Sequence, residues 1–320
     1  MGTASILRVA LVVACASIAA WPVLAQEVPE AAPAASAASV PLPALPAGET
    51  VSIPVAGGGI FGGTVGMVTQ LFKPPGDGPF PVVVFSHGRA PDATARAHLK
   101  VGISNAQLRF WLARGDAVVA PIRPGYGATG LGGDPENSGA HFDQMGRCNS
   151  HPDYRGTADA AARTVDATLA WLRSQPWADA HHVLLAGQSV GGLTTVAAGA
   201  HPQDGVVGYI NFAGGTGGNP ERSPGASCDP GQMEALYAAL GRTTTLPNLW
   251  IYAMNDQFWG PDVPVAWHAA FAKGGSRTTF VHAPAVADGN GHGLSTHAQR
   301  LWAPYVDNFL ATIDFPAASR

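Results

Sequence analysis

Short runs dominated by apolar and β-branched residues alternate along this chain with longer stretches whose apolar positions recur every three or four residues. Pro81 to Ser86, Ala117 to Ile122, His182 to Ala186, Val206 to Phe212, Leu249 to Met254 and Thr279 to His282 are of the first kind. Runs this short with no polar face predict strands covered on both sides. The helical pattern falls on Ala97 to Arg114 (Leu99, Ile103, Leu108, Leu112), Asp159 to Leu172, Ser189 to Ala198, Met233 to Leu240, Val265 to Ala272 and Ala298 to Ile313. Thr50 to Val55 and Thr64 to Phe72, joined around Gly57, Gly58, Gly59, Gly62 and Gly63, read as a hairpin. Strands alternating with helices predict an α/β fold: a mostly parallel central sheet, helices on both faces, and the opening pair as its antiparallel edge.

Composition changes this picture mainly at the N-terminus. Arg8, the apolar run Val9 to Ala20 and the small-residue site Val23-Leu24-Ala25 predict an export signal over 1–25, cut before Gln26. A competing reading is lipoprotein processing at Cys15, where Val12-Val13-Ala14-Cys15 has the form of a lipobox. Residues 26–48, with Pro29, Pro33, Pro41, Pro43 and Pro46 among alanines and serines, predict an extended linker. The folded domain is expected over 49–320. Its 46% hydrophobic and 12% charged residues are ample for one core. A formal net charge of −4 without a basic stripe argues against nucleic acid. No other apolar run is long enough for a bilayer span. In an oxidising compartment the pair left after loss of Cys15, Cys148 and Cys228, is expected to be bridged, the alternative being two separate buried thiols.

The strongest chemical signal is Gly187-Gln188-Ser189-Val190-Gly191, followed by Gly192, between a predicted buried strand and a helix. A nucleophile on so sharp a turn needs small neighbours, and the following helix aims its N-terminus at the site. The plain alternative is a strand-to-helix turn with a capping serine. With this motif, and with the His-Gly turn Ser86-His87-Gly88-Arg89 after an early strand, the chain from Thr50 to Ile313 resembles the α/β-hydrolase superfamily, its dienelactone-hydrolase and acyl-peptidase branches above all.

That resemblance implies the order nucleophile, acid, histidine. Asp256, directly after the strand Leu249 to Met254, is the expected acid, with Asp262 and Asp288 as alternatives. His292, in Asp288-Gly289-Asn290-Gly291-His292-Gly293, is the expected base; His282 falls inside a strand and His297 at the last helix. The backbone N–H groups of Val190 and Arg89 are the candidate oxyanion donors.

Arg89 and Arg123 both follow buried strands, at the sheet end where ligands bind. Either is a candidate to pair with an anionic substrate group, against the competing reading of a tie to a loop carboxylate. Loops 125–155 and 213–231 are expected to form a small cap joined by the disulfide. Tyr126, Phe142, Phe258 and Trp259 are candidates for pocket walls and equally for core. Adjacent His181 and His182 do not have the spacing of a zinc helix, and dinucleotide and phosphate-loop motifs are missing, so no metal or cofactor is expected. The function expected is hydrolysis of a carboxylic ester, small or polymer-derived. A peptidase or amidase with the same triad is the alternative, disfavoured because the stretch before Thr50 leaves no room for the propeller domain of acyl-peptidases. A binding protein on a hydrolase scaffold is the third reading.

Overall fold

The computed structural model describes residues 44–57, 63–90, 92–201, 203–287 and 289–316. The expected export signal, Cys15, most of the linker, the hairpin glycines 58, 59 and 62, and Asp288 lie outside the described residues.

In chain order the elements are β1 (Glu49–Ala56), β2 (Thr64–Phe72), β3 (Phe80–Ser86), α1 (Ala93–Ala97), α2 (Asn105–Ala113), β4 (Ala117–Pro121), α3 (Tyr154–Leu172), β5 (Ala178–Gln188), α4 (Val190–Gly199) and β6 (Val206–Phe212). There follow β7 (Gly218–Asn219), β8 (Ser223–Ser227), α5 (Pro230–Gly241), β9 (Asn248–Ala253), α6 (Val263–Ala272), β10 (Thr278–Ala283), α7 (Leu294–His297) and α8 (Gln299–Thr312). The main sheet has eight strands in the order β1-β2-β4-β3-β5-β6-β9-β10. All pairs from β4 to β10 are parallel, and β2 runs antiparallel to both β1 and β4. The opening hairpin is therefore the antiparallel edge that the alternation predicted.

Period-two side-chain alternation divides the core into two halves. In β3, Val82 and Val84 face the helices α3, α4, α5 and α6, where they share a cluster with Val165, Leu193, Met233 and Trp267. Val83 and Phe85 face α2, α7 and α8, among Leu108, Trp111, Leu294 and Trp302. Covering both faces explains why these strands read as unbroken apolar runs.

The chain leaves β3 to one side through α2 to β4, then crosses back through α3 to β5 on the other side of β3. This reversal opens a crevice at the carboxyl ends of β3 and β5, where ligands bind in open α/β sheets.

Two expectations need correction. The helix expected over Ala97 to Arg114 begins only at Asn105, after a separate short helix, α1, that ends at Ala97. Asp92 caps α1 by accepting from the Thr94 and Ala95 N–H groups at 2.9 and 2.8 Å, and Ser104 caps α2 by accepting from the Gln107 N–H at 3.2 Å. Both are competing helix starts, and the periodicity of Leu99 and Ile103 carried no sign of the break between them. The loop 213–231 also holds a small hairpin, β7–β8.

Asp116, just before β4, is fully buried, and neither of its carboxylate oxygens has a hydrogen-bond partner. Burial pushes its carboxyl up to about 7, against the opposing charge of Arg114, whose Nε lies 3.8 Å away. The folded chain thus holds a proton here that the unfolded chain has lost above pH ~4. Its contribution to stability is full below that pH and is lost as pH rises to about 7. Asp116→Asn is expected to flatten this decline, leaving the variant more stable than wild type at pH 8 by on the order of 3 kcal/mol. Urea unfolding midpoints of both proteins between pH 4 and 8 check it.

Candidate active site

Strand β5 ends at Gln188 and α4 begins at Val190, so Ser189 alone turns the chain from strand to helix. It does so at φ 57° and ψ −123°, a region that L-residues rarely occupy. The turn is locked from outside. The Ser189 N–H donates to the Phe212 carbonyl at 2.9 Å, and its carbonyl accepts from the Gly215 N–H at 3.1 Å.

Close approach of neighbouring backbones dictates the flanking glycines. A Cβ on Gly191 would run into the Ser86 and His87 carbonyls, and one on Gly187 would run into Gly191. Gly88, in the turn after β3, lies so close that a Cβ there would sit 3.3 Å from that of Ser189 and 2.5 Å from Gln188 Oε1. The His-Gly turn and the serine turn are therefore fitted parts of one structure.

His87 holds the first of these turns. Its Nδ1–H donates to the Gly88 carbonyl at 2.7 Å and its Nε2 accepts the Arg123 N–H at 3.2 Å, which fixes a neutral tautomer. Burial, and then the nearby Arg123 charge, push its pKa well below the ordinary range. The turn carries Arg89, which lines a cavity of about 350 Å³ together with Ser189 and Val190.

Asp256 and His292 arrive from the far side of the sheet. Asp256 follows β9 in the turn 254–257; His292 lies in the loop after β10. The imidazole Nδ1 lies 3.0 and 3.2 Å from the two Asp256 oxygens. Both residues are buried, at 2% and 7% exposure. Asp256 Oδ1 also accepts from the Phe258 and Trp259 N–H groups at 2.8 and 3.2 Å. The Phe258 ring stacks on the imidazole with centroids 4.0 Å apart, and Trp259 meets it edge-on at 5.4 Å.

Two asparagines pin the histidine loop to the acid loop. Asn290 Oδ1 accepts from both the His292 and Gln257 N–H groups, and Asn255 bonds Val286 through both ends of its amide. Gln188, next to the serine, donates to the His292 carbonyl at 3.1 Å. The Ser189 hydroxyl itself makes no hydrogen bond among the described residues. Such contacts are often long in a free site and tighten when a substrate is bound.

Of the two arginines read from the sequence, Arg123 is fully buried and does not line the cavity. Its guanidinium pairs with Glu136 at 2.5 and 3.1 Å, and Tyr126 donates to the same carboxylate at 2.7 Å. Arg89 does line the cavity, forked onto Asp134 at 2.7 and 2.6 Å. Phe142, Phe258 and Trp259 are walls, whereas Tyr126 is core. Asp262 lies at the start of α6, apart from this pair.

Cys148 and Cys228 form a disulfide across 80 residues, joining the two loops that line the cavity with residues between 137 and 142 and between 215 and 222. Arg96, on α1, and Arg222, in the β7–β8 turn, also line the cavity; neither is legible in the sequence, which does not carry the direction of a side chain. Among the described residues no three His, Cys, Asp or Glu side chains converge as a metal site requires, and no helix is long and apolar enough to cross a membrane.

Neither a protein-family model nor a curated protein matches the chain. Solved structures do match its fold. An acylaminoacyl peptidase from Pyrococcus horikoshii aligns at TM-score 0.54 and 14% identity, over 86% of this chain and 43% of that one. A Klebsiella pneumoniae protein assigned as a dienelactone hydrolase aligns at 0.51 and 15%, over 84% and 98%. An esterase from Pyrococcus furiosus aligns at 0.51 and 12%, over 83% and 91%. The chain spans less than half the length of the peptidase. At these identities the likeness shows the fold, which is the α/β-hydrolase fold.

Backbone strain at Ser189 can be measured separately from its chemistry. Ser189→Gly and Ser189→Ala both remove the hydroxyl, but only glycine adopts this φ without cost. The glycine variant is expected to be the more stable of the two by about 1 kcal/mol, read from their urea unfolding curves.

Proposed function

We propose that this chain is an exported serine hydrolase that cleaves a carboxylic ester. Ser189 is the nucleophile, His292 the general base and acid, and Asp256 the residue that orients the imidazole. The observation that carries this reading is the buried Asp256–His292 pair. It stacks on Phe258, a wall of the cavity that also holds Ser189 on its strained turn. The Cys148–Cys228 bond supports export, since disulfides persist in oxidising compartments.

In this mechanism Ser189 Oγ bonds to the acyl carbon while His292 Nε2 takes its proton and the carbonyl electron pair moves onto oxygen. The resulting oxyanion is met by the backbone N–H groups of Val190, at the positive end of α4, and of Arg89. Collapse breaks the bond to the alcohol oxygen, which leaves with the proton from His292. Water then attacks the acyl-enzyme by the same route and frees Ser189. Throughout, Asp256 accepts the Nδ1–H and stabilises the imidazolium; its own second bonds, from the Phe258 and Trp259 N–H groups, hold it in place for this.

Likeness to a peptidase favours a second reading, in which the same residues cleave an amide. A series of p-nitrophenyl esters beside p-nitroanilides separates the two. Ester turnover is expected, with a loss on the order of 10⁴-fold or more in both Ser189→Ala and Asp256→Asn. A serine-directed phosphonate is expected to label wild type at Ser189 alone. Anilide turnover exceeding ester turnover would move the chain to the peptidase reading. Inert wild type, with no labelling, would leave a binding protein on a hydrolase scaffold.

A further inference from the structure

A histidine held only through Nδ1 is not fully aimed. The bond to Asp256 fixes one edge of the His292 ring, but the ring can still swing about that axis and carry Nε2 with it. Its plane is fixed by a second contact. The Phe258 ring lies against it, with centroids 4.0 Å apart and planes 27° from parallel. Trp259 crosses it at 75°, with centroids 5.4 Å apart. With one edge bonded and one face covered, the direction of Nε2 is set.

Phe258 is held as firmly as the ring it covers. The peptide group before it is engaged at both ends: the Phe258 N–H donates to Asp256 Oδ1 at 2.8 Å, and the Gln257 carbonyl accepts the Gly225 N–H at 2.7 Å. Gly218, in β7, packs so closely that a Cβ there would lie 3.1 Å from Phe258 Cδ1 and 2.6 Å from Trp259 Cζ3. The carboxylate that bonds the imidazole thus also holds the backbone from which the covering ring projects. The ring itself is half-buried and forms part of the cavity wall.

Stacking of this kind has a consequence that the plain filling of space does not. The face of an aromatic ring is the negative pole of its quadrupole, and it attracts a cation within about 6 Å of the centroid. While His292 is neutral, the contact is ordinary ring packing. As the imidazole takes the serine proton it becomes a cation, at a place only 7% exposed, and the same contact gains an electrostatic part. An interaction that strengthens only as the transition state forms speeds the reaction rather than merely binding the substrate. For a contact shielded from water the gain is on the order of 10-fold in rate.

We propose that Phe258 is a positioning residue for this reaction: its ring sets the plane of the His292 imidazole and stabilises the imidazolium that forms during proton transfer. The competing role is that of a wall alone, against which the substrate rests. This inference deepens the ester-hydrolase reading and rests on it for the proton transfer, but not for the stacking itself.

Two measurements test it. Stopped-flow bursts with p-nitrophenyl acetate separate binding of the ester from the rate constant of acylation. Phe258→Leu keeps an apolar side chain and the N–H bond to Asp256 but has no π face. It is expected to slow acylation ~10-fold with ester binding little changed, and Phe258→Tyr to restore the rate. Pentafluorophenylalanine at position 258 keeps the outline of the ring and reverses its quadrupole, so it is expected to slow acylation as leucine does. The second measurement needs neither turnover nor a variant at 258. In wild type carrying isotope-labelled histidine, the carbon-bound ring protons of His292, identified by their loss in His292→Gln, are expected upfield of free histidine, because they lie over the Phe258 ring. Unchanged acylation in Phe258→Leu, an effect confined to ester binding, a tyrosine no better than leucine, a fluorinated ring that acts like phenylalanine, or His292 protons at their free positions would overturn the proposal. Upfield protons in a wild type with no ester turnover and no phosphonate labelling would instead overturn the hydrolase reading, and with it the role in proton transfer, leaving only the stacked pair.

Discussion

The left-handed backbone at Ser189 is the constraint on which the rest of the site depends. A serine at φ 57° is costly, and it persists because its surroundings leave no other conformation open. The carbonyls of Ser86 and His87 crowd Gly191 and Gly88 abuts Ser189 itself, while hydrogen bonds to Phe212 and Gly215 tether both ends of the peptide. Such crowding requires β3, β5 and β6 to end at one level, side by side. The order of the central strands and the geometry of a single residue are in this sense the same fact.

On the other half of the site the problem is different, because the acid and the imidazole ride on loops rather than on a strand end. The loops are made stiff by amide side chains. Asn290 and Asn255 tie the turn after β9 to the loop after β10, and Gln188 reaches across from the serine side to the His292 carbonyl. Two aromatic rings then close over the imidazole and exclude water from the Asp256 bond. The burial of this couple, otherwise a liability, is offset by three N–H donors onto one carboxylate, those of Phe258, Trp259 and the His292 ring, the last shared between both oxygens.

The sheet and the serine turn were legible in the sequence because their physics is local or periodic. Val82 to Phe85 read as a doubly buried strand since both faces are in fact covered, and the glycines around Ser189 read as a tight turn since neighbouring backbones demand them. Asp256 lies in the turn after β9 and His292 in the longer loop after β10. What could not be read was side-chain direction. Arg123 and Arg89 occupy like places after β4 and β3, yet one is sealed against Glu136 and the other faces the cavity. Arg222 gave no signal, because its place depends on a hairpin of only two and five residues whose pairing is weakly patterned. The break between α1 and α2 was hidden for a similar reason: two caps decided it, against an apolar spacing that ran straight through.

The disulfide-joined walls have a consequence for how such a site can be altered. The floor of the pocket is built from strand ends and glycines whose every neighbour is fixed, so it has almost no tolerance for replacement. Residues 137–142 and 219–222, in contrast, lie on the two loops that Cys148 and Cys228 join, whereas Gly215 belongs to the floor, its N–H holding the Ser189 carbonyl. On the proposed reading, recognition and chemistry fall to separate parts of the chain. A library confined to those two segments, with both cysteines retained, varies the walls while leaving the serine turn and the Asp256–His292 pair unchanged.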